Sequence, residues 1–155
     1  MFNFFKNIFN NYINKLLKSM KLNKIPDKWI FIFDIDDTLI FEKDEKLNKD
    51  VFKFYNYVKN KIKVYIITNR SDKSRDVTKQ ELFYNKIKDY IGLKLRKVNE
   101  NPLISKIRMR NEVEKEGYCI VGCIGDQIVD FKKGMLGIYL NKNYLNNNDY
   151  PKIIF

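Results

Sequence analysis

The feature that most constrains this chain is a set of unbroken apolar runs, each ending abruptly in polar residues. Trp29 to Phe33 (WIFIF) runs into Asp34-Ile35-Asp36-Asp37-Thr38, Lys63 to Thr68 (KVYIIT) into Asn69-Arg70, and Gly117 to Gly125 (GYCIVGCIG) into Asp126-Gln127. Ile91 to Arg96 and Gly137 to Leu140 read as two further strands. Strands that lack an apolar/polar alternation are buried on both faces, the pattern of a parallel sheet. Helical spacing separates them, at Val51, Phe52, Phe54, Tyr55 and Val58, over Ser74 to Tyr90, and over Ile104 to Glu116. This alternation predicts an α/β fold of three layers, Rossmann-like, with a central parallel sheet of about five strands between helices. The Asn-rich stretch from Asn141 to Asn148 reads as an exposed loop.

The start of the chain has a different character. Phe2, Phe5, Phe9, Tyr12, Ile13, Leu16, Leu17 and Met20 recur at threes and fours, which makes residues 1–26 an amphipathic, basic helical segment ahead of a core over residues 27–155. Its apolar face has two readings: a helix laid over the domain's own core, or a contact with a membrane surface or a partner. No apolar run approaches the roughly 18 residues of a membrane-spanning helix.

Charge and composition narrow the chemistry. The net charge is +11, but 25 of the 30 basic residues are Lys, and Asn, Lys and Ile together supply 64 of 155 positions. A composition so biased towards A/T-rich codons accounts for part of the charge as a solvated basic surface, while an anionic partner such as nucleic acid stays in play. There is no His, which removes His-based triads and imidazole zinc sites. Cys119 and Cys123 lie four apart in a strand, roughly 13 Å between Cα atoms, too far for a disulfide. They read as buried thiols of a reducing, cytoplasmic compartment.

Ligands of parallel sheets bind beyond the carboxyl ends of the strands, where Asp34, Asp36, Thr68, Asn69, Arg70 and Asp126 fall, with Asp130 one turn further on. Carboxylates converging on one crevice repel unless a cation stands among them, and an all-oxygen set suits Mg²⁺. Asp37 reads as a turn residue.

These residues carry a resemblance. Phe31-Ile32-Phe33-Asp34-Ile35-Asp36-Asp37-Thr38-Leu39 resembles the DxDxT motif of the haloacid dehalogenase (HAD) superfamily, with Thr68, Lys106, and Gly125-Asp126 plus Asp130 matching its later motifs. Lys106 to Arg110, then Gly117-Tyr118, Ile120-Val121-Gly122 and Ile124-Gly125-Asp126-Gln127, is similar to a block of the acid phosphatase and vegetative storage protein branch, subfamily IIIB. The resemblance implies a Mg²⁺-dependent phosphomonoester hydrolase working through an aspartyl-phosphate. Asp34 would be the nucleophile and Asp36 the acid and base. Thr68, Asn69 and Lys106 would bind phosphate; Asp34, Asp126 and the backbone carbonyl of Asp36 would hold the metal. Thr38, Asp130 and Arg70 would support them. The chain departs from the branch at Asn69 (usually Gly), Cys123 (Asn) and Ile128 (Trp).

About 29 residues separate Thr38 from Thr68, too few for an inserted cap with a core of its own, so a capless, open site is expected. Such a site suits a phosphorylated small molecule or a nucleotide. It also keeps open a nucleic-acid 3′-end phosphatase, and a non-catalytic storage or binding protein on the same scaffold.

Overall fold

A computed structural model describes all residues, 1–155. The chain forms α1 (Phe2–Ser19), β1 (Trp29–Phe33), α2 (Lys49–Lys59), β2 (Lys63–Ser71), α3 (Arg75–Tyr84), β3 (Gly92–Arg96), α4 (Pro102–Lys115), β4 (Cys119–Gly125), β5 (Leu136–Tyr139), α5 (Lys142–Asn147) and β6 (Lys152–Ile154). One sheet carries all six strands in the order β3-β2-β1-β4-β5-β6. The first five are mutually parallel, and β6 adds an antiparallel edge beside β5. The order reverses between β1 and β4, the crevice where such sheets bind ligands. Between β1 and β2 the chain makes only a loop with a short Ile40–Leu47 bridge and then α2, with no inserted unit.

The apolar runs of β1, β2 and β4 are unbroken because each of these strands feeds two cores. In β1, Phe31 and Phe33 enter the larger cluster beneath α1 and α2, while Ile30 and Ile32 enter a smaller one with Met109 and Val113 of α4. Val64 and Ile66 against Tyr65 and Ile67 divide β2 the same way, as a side-chain period of two requires. The apolar face of α1 is covered by the domain itself. Phe5, Phe9 and Ile13 are buried, and the Phe9 ring lies 5.7 Å from Phe31, 6.0 Å from Phe54 and 6.2 Å from Tyr57. What α1 offers to solvent is its polar, Lys-bearing side.

Four expectations change. The sheet has six strands, and its last is antiparallel. Asn141 to Asn148 is not a loop: the Asn141 side chain caps α5 by accepting from the Tyr144 N–H at 3.1 Å, and Asn148 closes the helix in the left-handed conformation. Tyr144 is buried, its hydroxyl accepting from Asn48 Nδ2 at 3.1 Å. Helix α3 stops at Tyr84 rather than Tyr90, because Lys86 and Asp89 both adopt positive φ. Cys123 is buried, but Cys119 is exposed at the start of β4.

If α1 is part of the core, Phe9→Ala removes a fully packed aromatic and should lower the unfolding free energy by about 3–5 kcal/mol. Urea titration checks this; a loss below about 1 kcal/mol would mean that α1 is only loosely attached.

Candidate active site

Register assembles the site. Phe33 pairs with Ile124 of β4 and with Ile66 of β2, and the Asp34 N–H donates to the Ile124 carbonyl at 3.1 Å. Asp34 therefore emerges between the tips of β4 and β2, beside Asp126 on one side and Thr68 on the other. Single carboxylate oxygens of Asp34, Asp126 and Asp130 lie within 4.8 Å of one another.

Lys106 reaches the same point from α4. Its Nζ donates to Asp34 Oδ1 at 3.0 Å and to the Ile67 carbonyl at 2.9 Å. Asp130 Oδ1 stands 2.6 Å from Nζ as an ion-pair partner, off the hydrogen-bond direction and without another donor. Local sequence fixes where Lys106 sits. The Asn101 side chain caps α4 by accepting from the Leu103 N–H at 2.8 Å, and Pro102 begins the helix. Asn69 ties this helix end to β2: its Oδ1 accepts from the Ser105 hydroxyl, and its Nδ2 donates to the Pro102 carbonyl at 3.1 Å. Asn69 thus turns its side chain to α4, while Arg96 holds its carbonyl from β3 at 2.9 Å.

Asp130 is placed by two devices. Its Oδ2 accepts from the Gln127 N–H at 3.0 Å. Gly125 makes room for it: a Cβ there would lie 2.2 Å from Asp130 Oδ2, so no larger residue fits without moving the carboxylate. Buried Arg110 donates to the Val129 carbonyl at 2.6 Å and pins the same turn.

Thr68 is buried, and its Oγ1 accepts from the Arg70 N–H at 3.1 Å, which leaves the hydroxyl proton free to donate. Asp36 is not one of the three clustered carboxylates. Arg70 forks onto it, NH2 at 2.7 Å from Oδ1 and Nε at 3.0 Å from Oδ2, while NH1 binds Glu81 of α3 at 2.6 Å. Asp37 is a turn residue at φ 54°, with Oδ1 accepting from the Glu42 N–H at 2.9 Å. Thr38 is fully buried and its hydroxyl has no partner.

The electrostatics are unbalanced in a specific way. Burial pushes the Asp34 carboxyl well up; Lys106 opposes this, and Asp130 and Asp126 add to it. Burial also raises Asp126, only partly countered by hydrogen bonds from Asp34 and Gln127. Burial works against the Lys106 charge, yet Asp34 and Asp130 outweigh it and hold the ammonium protonated. Three carboxylates face one ammonium, an excess of two negative charges if all ionise. A divalent cation meets that excess, and oxygen donors alone suit a hard ion. The residues present therefore fit a divalent metal, with Asp34 and Asp126 as the carboxylates not already committed to holding a backbone turn.

This crevice, where a buried Lys meets clustered Asp, lies at the topological switch point of the sheet. The family model for "HAD superfamily, subfamily IIIB (Acid phosphatase)" matches residues 42–150, and the chain belongs to that family. The family is one of phosphatase-type hydrolases, whose members generally use a divalent metal. The match begins after Asp34 and Asp36, so those two rest on the geometry and the DxDxT pattern. No curated protein matches the sequence. Two solved structures share the fold at a TM-score of 0.65 and 20% identity, the "Pnkp1/Rnl/Hen1 RNA repair complex" and a "Pnkp1/Rnl/Hen1 complex". Each covers 74% of this chain, which spans only 42% and 46% of theirs.

The structure brings Asp34, Thr68, Lys106, Asp126 and Asp130 to one crevice and sets Asp36 and Arg70 at its mouth. Sequence reasoning missed Glu81, an acid on a charged helix that nothing in the sequence distinguishes, and the role of Ser105 as the latch for Asn69.

In the metal-free protein Asp34 and Asp126 titrate above the ordinary aspartate value of 3.8. Between that value and the raised ones the native state holds more protons than the unfolded chain, so stability falls as pH rises through the window. A cation needs the ionised carboxylates and reverses the penalty. Without divalent ions, Tm should therefore fall as pH rises above the ordinary aspartate value of 3.8, and millimolar Mg²⁺ should raise it more at the upper end of that rise than at the lower. Scanning calorimetry reads both, and Asp126→Asn should weaken the Mg²⁺ effect.

Proposed function

We propose that the protein is a Mg²⁺-dependent phosphomonoester hydrolase acting through an aspartyl-phosphate on Asp34. The observation that carries this reading is the pairing of buried Asp34 with buried Lys106 at the β1 tip, 3.0 Å apart, beside Asp126. Asp34 attacks phosphorus, the bond to the ester oxygen breaks, and Asp36 delivers a proton to that oxygen as the alcohol departs. A water that gives its proton to Asp36 then cleaves the acyl phosphate, releasing inorganic phosphate and restoring Asp34.

The remaining groups position and offset charge. Lys106 and the Thr68 hydroxyl hold phosphoryl oxygens, and Asn69 at the same strand end keeps the α4 terminus, and so Lys106, in place. Asp130 orients Lys106. Asp34, Asp126 and the Asp36 carbonyl would hold Mg²⁺, which would supply positive charge to offset that of carboxylate and phosphate. Arg70 must loosen its fork before Asp36 can carry a proton, and an arriving phosphate offers Arg70 an alternative anion.

A second reading, a phosphatase of nucleic-acid 3′ ends, draws on the net charge of +11 and on the open site. The RNA repair complexes that share the fold are compatible with it. A storage or binding role is disfavoured by the presence of Asp34, Asp36, Lys106 and Asp126 together.

Turnover of an aryl phosphate should require Mg²⁺ and stop with EDTA. Asp34→Asn should lower kcat by at least about 10³-fold while leaving the Tm within a few degrees. Activity retained in that variant would falsify the assignment. Preference for a 3′-phosphorylated oligonucleotide over every small ester would favour the second reading.

A further inference from the structure

Beside Asp36 the surface opens into a depression of about 330 Å³, between the loop carrying Phe41, Glu42 and Glu45 on one side and, on the other, Ser71 at the end of β2, Ser74 in the turn after it and Thr78 and Glu81 of α3. If Asp34 takes the phosphoryl group and Asp36 protonates the ester oxygen, the departing alcohol lies on the Asp36 side, in this depression. The inference therefore rests on the function proposed above.

The chemistry of the walls is one-sided. Four carboxylates face the space (Asp36, Glu42, Glu45 and Glu81) against one cation, Arg70. Arg70 is already divided between Asp36 at 2.7 Å and Glu81 at 2.6 Å. Glu42 and Glu45 are exposed and pair with no cation, so their charge is directed at whatever enters. The other polar groups are hydroxyls. Ser71 and Ser74 lie at the rim, and Thr78 is fully buried in the wall with an Oγ1 that has no partner in the protein. Orphaned buried hydroxyls cost folding free energy, and one beside a binding space is a ready partner for a ligand or a water held with it.

Carboxylates and hydroxyls together suit an alcohol that donates hydrogen bonds. The same carboxylates repel a second anion at short range, in a half-open site where the field is only partly screened. We propose that this depression is the leaving-group subsite, and that it selects phosphate monoesters of uncharged, polyhydroxylated alcohols of the sugar type. It discriminates against alcohols carrying a further negative charge, a nucleic-acid strand included.

A matched pair of substrates tests this with the full-length protein and Mg²⁺. Glucose 1-phosphate and glucuronic acid 1-phosphate share one ring and differ only in the carboxylate that replaces the primary alcohol. The neutral ester should have a kcat/KM roughly tenfold higher at low ionic strength, and the ratio should shrink in about 0.5 M KCl. In the double variant Glu42→Gln, Glu45→Gln the ratio should fall to within about threefold. Thr78→Val should raise KM for the hexose ester a few-fold, whereas a hydroxyl that meets no ligand would leave KM alone; Tm should not fall in either case, because the hydroxyl has no partner in the protein to lose. Equal kcat/KM for the two esters, an unchanged ratio in the double variant, or preference for a 3′-phosphorylated oligonucleotide overturns the subsite. No turnover of either ester or of an aryl phosphate overturns the functional reading itself, and the subsite with it.

Discussion

The arrangement of this protein turns on one buried ammonium. Lys106 is almost wholly removed from water, and a lone charge there would carry a desolvation cost of several kcal/mol. It is tolerated because Asp34, Asp130 and the Ile67 carbonyl surround its Nζ within 3.0 Å. Each of those partners comes from a different element, so the charge can be satisfied only if β1, β2, the turn after β4 and α4 are all in register. The Asn101 cap, Pro102 at the helix start and the Asn69 latch fix where α4 begins, and hence where the Lys106 stem ends. Gly125 matters for the same reason: a side chain there would displace Asp130, and Lys106 would lose a counter-charge.

That cluster is over-supplied with negative charge, and the surplus distinguishes a site from a structural ion pair. A fold that needed only to bury Lys106 could do so with one carboxylate. Three within 4.8 Å keep Asp34 poised between a proton and a cation. The cost is offset by the two hydrophobic clusters on either face of the sheet, whose strands are apolar to their last residue before the polar tip. Apolar strand bodies make the sheet rigid enough to hold like charges together, and the polar tips use that rigidity.

How much of this could be read from the amino-acid order depends on whether the signal was local. Strands β1, β2 and β4 were legible because burial on both faces leaves no polar position inside them. The gathering of Asp34, Thr68 and Asp126 followed from the rule that parallel strands point the same way. The α5 segment was misread because Asn is both a loop former and a helix cap; only the long-range contact of Tyr144 with Asn48 decides between them. The end of α3 was misread because Lys86 and Asp89 adopt left-handed backbone, which neither residue type announces. The Arg70 fork between Asp36 and Glu81 joins residues 34 and 11 positions apart and leaves no pattern in the sequence. Cys119 sits at a strand's exposed start, where membership of an apolar run says little about burial.

Global and local charge point in opposite directions, and range decides what each controls. The excess of 11 positive charges is spread over a Lys-rich exterior, and its field beyond roughly a Debye length, about 8 Å, is largely screened. Such a field concentrates phosphate esters near the protein without choosing among them. Under the proposed function, choice would be made within a few ångströms of phosphorus, with Lys106 and Thr68 on the phosphoryl side and the depression lined by Asp36, Glu42, Glu45 and Glu81 on the side of the departing alcohol. A basic protein with an acidic depression beside that crevice would therefore attract dianionic esters in general and accept those whose charge ends at the phosphate. Net charge alone would have named a polyanion as the substrate, and the arrangement at Asp36 argues the reverse.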